Sequence, residues 1–202
     1  PIRNVVEMAA SHALVLVRDL PVLALDAPIF FPGALARVPV PNGTTARILA
    51  GRAGTGQAAS DPAPVDVVLL ARRKGGEVAG AEATGPEAGP TAYADVGVWG
   101  LVEQVAHDGA GEVHAVIKVV GRVRIISLSA EGATLMARVE QMPDVVEESA
   151  RELALARVLA EQFREMVSLT PGLQAEIADL AAGLKGDGGR LVDFVVSGLE
   201  LK

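Results

Sequence analysis

The chain has 202 residues, 18 Lys and Arg against 25 Asp and Glu (a formal charge of −7), no cysteine, and 3% aromatic residues although half are hydrophobic. A chain of this length buries roughly 70% of its unfolded surface without covalent staples, and the lack of cysteine excludes disulfide scaffolds, thiolate nucleophiles and Cys-based zinc sites. The acidic balance weighs against nucleic acid as the main partner, and charges or prolines cut every apolar stretch short of the ~20 residues a membrane-spanning helix needs.

The opening stretch Ile2–Val17 is apolar, but Glu7 and the lack of a small-residue cleavage pattern argue against a secretory leader. A cytoplasmic setting is expected. Short β-branched runs then alternate with Gly, Pro, Asn and Asp, predicting strands over Ala13–Val17, Leu20–Leu25, Leu35–Val40, Val65–Ala71, Asp95–His107, Glu112–Leu128 and Ala133–Met142. Pro21, Pro39 and Pro41 restrict their segments to strand ends or edges, since proline cannot donate to a ladder. Between the second and third of these runs, Pro28-Ile29-Phe30-Phe31-Pro32-Gly33 places two of the four phenylalanines in a proline-bracketed loop. Phe31 reads as a core plug. Ile29 and Phe30 are either plugs or an exposed contact for another chain. Trp99, between Gly97 and Gly100, is a core residue or the lining of a groove.

The segments 51–64 and 75–90 are mostly Gly, Ala and Pro and read as surface loops. His107-Asp108-Gly109-Ala110-Gly111 separates the two longest β runs, and Asp-Gly tolerates the positive φ of a tight turn, so these runs are expected to pair antiparallel. In the second of them Val113, Ala115, Ile117, Val119, Val123 and Ile125 share one face, and Gly121 marks a bend or bulge. A curled antiparallel sheet or small barrel follows from so long an alternating strand.

Beyond Pro143 the spacing becomes helical. Asp144 is expected to cap a helix to about Val167 with a stripe of Ala150, Leu153, Ala156, Ala160, Phe163 and Val167. Thr170-Pro171 is expected to open a second helix with a stripe of Leu173, Ile177, Leu180 and Leu184, and Asp187 a third with Leu191, Phe194 and Val195. The fold class is therefore α+β, with a β-rich lobe over 1–143 and three helices over 144–202.

No enzymatic constellation survives inspection. Gly51–Ala58 has the glycine spacing of a phosphate loop, but Gln57 stands where lysine is needed and Ala58 where a hydroxyl is needed. No helix follows to offer aligned amides. His12, His107 and His114 lack metal-ligand spacing. Neither a Gly-x-Ser-x-Gly elbow nor a Ser-x-x-Lys pair occurs. Glu147 and Glu148 read as a solvated helix face. Lys118, Arg122 and Arg124 form a basic stripe without interleaved aromatics, better suited to pairing with carboxylates than to stacking bases.

Four segments in order resemble one family, the N-terminal domain of ATP-dependent Lon proteases. Leu20-Pro21-Val22-Leu23 leading to Phe31-Pro32-Gly33 is similar to the family's Leu-Pro-Val-Leu strand and Phe-Pro-Gly turn; Asp95–Val102 resembles its Val-Gly-Thr-x-Ala-x-Ile strand. The Asp-Gly turn leads to an arginine-containing strand, Gly121–Ile125, and Asp187–Asp193 resembles its Asp-Pro-x-x-Leu-Ala-Asp segment. The resemblance covers about Leu14 to Lys202. It implies an antiparallel barrel like that of pseudouridine synthases and archaeosine transglycosylases (PUA-like), followed by a helical bundle. It also implies a non-catalytic domain that captures unfolded or damaged proteins and supports a homo-hexamer. The ATP- and magnesium-dependent ATPase and the Ser/Lys protease of such an enzyme would lie downstream, so the fragment itself is expected to need no cofactor, metal or membrane. Ile29, Phe30, Phe31 and Trp99 are the candidate contacts for substrate proteins. The alternatives are a free-standing Lon-domain adaptor or receptor and an RNA-binding PUA-like module.

Overall fold

A computed structural model describes residues 17–26, 29–41, 65–73, 92–107, 112–144 and 149–198. The start of the first expected strand, the segments 51–64 and 75–90, His12, the Asp108-Gly109 turn and Glu147/Glu148 lie outside the described residues.

Among the described residues six strands are formed: β1 (Val17–Leu25), β2 (Leu35–Pro39), β3 (Val65–Ala71), β4 (Val96–His107), β5 (Val113–Glu131) and β6 (Thr134–Met142). They form one sheet in the order β2-β5-β4-β3-β1-β6, and β5 pairs again with β6. The pairings thus run in a circuit through β5, β4, β3, β1 and β6, compatible with the expected barrel. The circuit is mixed, because β1 and β3 are parallel, Val22 lying opposite Val68. The other pairings are antiparallel, including β4 with β5, where His107 faces Val113 beside the expected turn.

β5 is long enough to serve two neighbours on one edge. Its first half pairs with β2 through Val38 and Ala115, and its second half with β6 through Arg124 and Glu140. Against β4 the register shifts between Trp99, opposite Gly121, and Gly100, opposite Val119. Val120 is the extra residue, so the bend expected at Gly121 is a bulge beside it. Pro21 lies in mid-strand rather than at an end. It is tolerated because β1 changes partner there, pairing with β6 up to Pro21 and with β3 from Val22.

β1 and β3 are apolar in succession because both of their faces are covered. Leu23, Leu25, Val67 and Leu69 join one core with Val38, Val102 and Ile117. Leu20, Val22, Val68 and Leu70 join another with Tyr93, Val123 and Val139.

Among the described residues three helices follow: α1 (Ala150–Leu169), α2 (Ala175–Gly183) and α3 (Gly188–Gly198). Ser149, not Asp144, caps α1: its side chain accepts a hydrogen bond from the Glu152 amide at 3.1 Å, and Asp144 instead pairs with Arg122. Thr170 ends α1 rather than opening α2. Its amide donates to Val167 O and its hydroxyl to Met166 O, and both bonds need the preceding turn. Asp187 does cap α3, accepting from the Arg190 amide at 3.0 Å. Ala156, Ala160, Phe163 and Val167 of α1 pack with Ala178, Ala181, Leu191 and Val195 in a third core.

Candidate functional site

The Ile29–Gly33 segment is fixed by its backbone. Pro32 presets φ, Gly33 takes φ +88°, and the Ala34 amide donates to Phe31 O at 3.2 Å, which makes a tight turn. The Gly33 amide donates to Val119 O at 3.0 Å, and the Val119 amide returns a bond to Ala34 O at 2.9 Å, stitching the turn to β5. Phe30 packs on the first core, whereas Phe31 is half-buried beside it and Ile29 remains 68% exposed. The core plug of this segment is Phe30, not Phe31. The segment bounds a shallow concavity of about 140 Å³ with Leu25, Val96 and Val98. Trp99 is not brought to it. It packs half-buried on the second core, its indole Nε1 standing over Gly121, where a Cβ would approach to 3.1 Å.

A larger apolar surface lies on the helices. α1 and α3 flank a groove of about 560 Å³ walled by Leu155, Val158, Leu159 and Val192. Leu155 is 60% exposed, and Val158 and Val192 about half. Leu155 and Val158 project away from the stripe that α1 turns toward α2 and α3, so a single-stripe reading of the helix overlooks them, whereas Leu159 packs partly against the third core. The signal was present in the sequence: α1 carries Leu153, Leu155, Val158 and Leu159, more apolar residues than one face can bury.

Arg122 of β5 lines both the groove and the shallow concavity. Its Nη2 donates to Asp193 Oδ1 of α3, and its Nη1 to Asp144 Oδ1 at 3.2 Å. The Asp193 side chain is 4% exposed. The basic stripe expected on this strand face therefore divides: Arg122 is engaged by carboxylates, and Lys118 and Arg124 face solvent.

The chemistry available at these surfaces is apolar contact with a few charges at the rim. Among the described residues, no group of three or more His, Asp or Glu is gathered to hold a metal ion. No described helix is long and apolar enough to cross a membrane.

Residues 19–202 match the family described as the ATP-dependent protease La (LON) substrate-binding domain. Among solved structures, the fold is similar to the N-terminal domain of Mycobacterium avium complex Lon protease. That similarity has a TM-score of 0.56 at 17% identity and covers 90% of this chain and 100% of that one. A Lon N-terminal domain protein from Xanthomonas campestris aligns at 16% identity and a TM-score of 0.48, over 89% and 98% of the two chains. No curated protein sequence matches.

Proposed function

The chain belongs to the substrate-binding domain family of the ATP-dependent protease La (Lon), and on that premise we propose that it holds apolar segments exposed by unfolded or damaged proteins. The observation that carries the proposal is the α1/α3 groove, whose walls leave Leu155, Val158 and Val192 open to solvent. Ile29 and Phe31 provide a second, smaller apolar contact on the sheet. Trp99, packed on its own core, is not part of either.

The contact is weak and unselective by design. Covering apolar surface contributes about 25 cal/mol per Å², so a few half-exposed side chains give several kcal/mol at most. Association and the ordering of an unfolded client offset most of this gain. A single copy therefore releases clients readily, and several copies on a hexameric ring would retain one through effective concentration. We assign ATP hydrolysis, magnesium and peptide cleavage to other modules of a longer cytoplasmic enzyme, to which this domain delivers substrate.

Fluorescence anisotropy with a labelled, permanently unfolded polypeptide tests the reading. Leu155→Ser with Val192→Ser should weaken binding several-fold while circular dichroism is unchanged, because both side chains are already exposed. Ile29→Ser should give a smaller loss. Unchanged affinity in all these variants would refute apolar capture at these surfaces.

A further inference from the structure

We infer that Arg122 is a clamp that positions the helical bundle on the sheet and thereby sets the geometry of both apolar surfaces. Only the second half of the inference rests on the binding reading. Among the described residues, no apolar cluster has members from both lobes: two are built of strand residues and their flanking segments, the third of helix residues alone. Lobes without a shared core depend on polar contacts to fix their relative placement.

Arg122 is suited to that task at both ends. Its backbone is held on two edges, lying opposite Val98 of β4 and Met142 of β6, so the root of the side chain cannot shift. Its guanidinium forks to two carboxylates, one on α3 and one in the segment that leaves β6 toward α1. The fork geometry of arginine permits this double contact, whereas a lysine ammonium acts as a single point charge. Asp193 is buried on α3 although it lies nearly opposite Leu191 and Val195 around the helix, so α3 turns one face to the helical core and the other, with Asp193, to Arg122. A carboxylate so buried is held there by a partner, because desolvating an unpaired charge is costly. Since Arg122 also lines both concavities, moving its head group alters both.

Because the chain has no cysteine, Arg37→Cys on β2 and Leu180→Cys on α2, both exposed positions, can be spin-labelled to read the distance between lobes. The parent should give one narrow distance distribution. Arg122→Met should broaden it, and Arg122→Lys should give an intermediate width by keeping the charge without the fork. Should Arg122→Met fail to fold with Asp193 left unpaired, the double variant Arg122→Met with Asp193→Leu removes the buried charge and should still broaden the distribution. An unchanged distribution in the double variant overturns the clamp. The affinity for the unfolded polypeptide should fall in step, by about fivefold or more, the lower range of couplings between a conformational element and a site. Broadening without any affinity change overturns the link to binding. Failure of the parent to bind would count against the proposed function alone, since the distances are read without ligand.

Discussion

At Gly100 the backbone of β4 approaches β5 so closely that a Cβ would lie 2.6 Å from the Lys118 carbonyl oxygen and 2.7 Å from Ile117 Cγ2. Neither neighbour can yield, since one is ladder backbone and the other lies in the first core. Gly100→Ala should therefore destabilise the protein by about 1–3 kcal/mol, as overpacking does. Gly183, the last residue of α2, meets nothing within 4 Å, so Gly183→Ala should gain about 0.4–1 kcal/mol from a less free unfolded chain. Urea midpoints of the two variants should move in opposite directions. The same scale shows what sequence can and cannot tell about the candidate contacts. Pro32-Gly33 declares its turn, because only a few residue types suit those dihedrals. Which of the adjacent Phe30 and Phe31 turns inward depends on the pair of bonds exchanged with Val119, donated by the Gly33 amide and accepted by the Ala34 carbonyl, which are not local.

Among the elements, most strand bounds were legible to within a few residues, since apolar alternation and Gly/Pro punctuation are local signals, although the expected break at Arg18-Asp19 is absent and β1 runs through it. β3 spans Val65–Ala71 as its composition indicates. Helix boundaries were less so. Asp144, Ser149 and Thr170 all have side chains able to cap, and tertiary demands decide among them: Asp144 is drawn to Arg122, and Thr170 is used by the turn before it. The parallel β1–β3 pairing also depends on strands far apart in sequence. Within the helices, Phe163 is buried and meets Phe194 edge to face with ring centroids 6.2 Å apart. Phe163→Ala should cost about 3–5 kcal/mol. Because this cluster is separate from those of the sheet, amide exchange should quicken across α1–α3 while β1 and β3 keep their protection. An even loss of protection throughout the chain would mean that the lobes unfold as one unit.

Over the whole molecule, the order of strands before helices was legible from periodicity. The α1/α3 groove was only half signalled, by the surplus apolar residues of α1, and the role of Arg122 not at all, because each joins residues far apart in sequence. Arg122 and Asp193 are 71 positions apart. The molecule that results exposes leucine and valine on its helices and isoleucine on one loop, and its charge of −7 disfavours anionic partners. The central claim is that these apolar surfaces bind unfolded polypeptide. Its most direct test is a backbone amide NMR titration of the chain with a permanently unfolded protein at physiological salt. The account predicts chemical-shift changes concentrated at Glu152–Gln162 and Gly188–Asp193, with a smaller set at Ile29–Phe31. No shift changes, or changes confined to the exposed Lys118 and Arg124 face of β5, would contradict it.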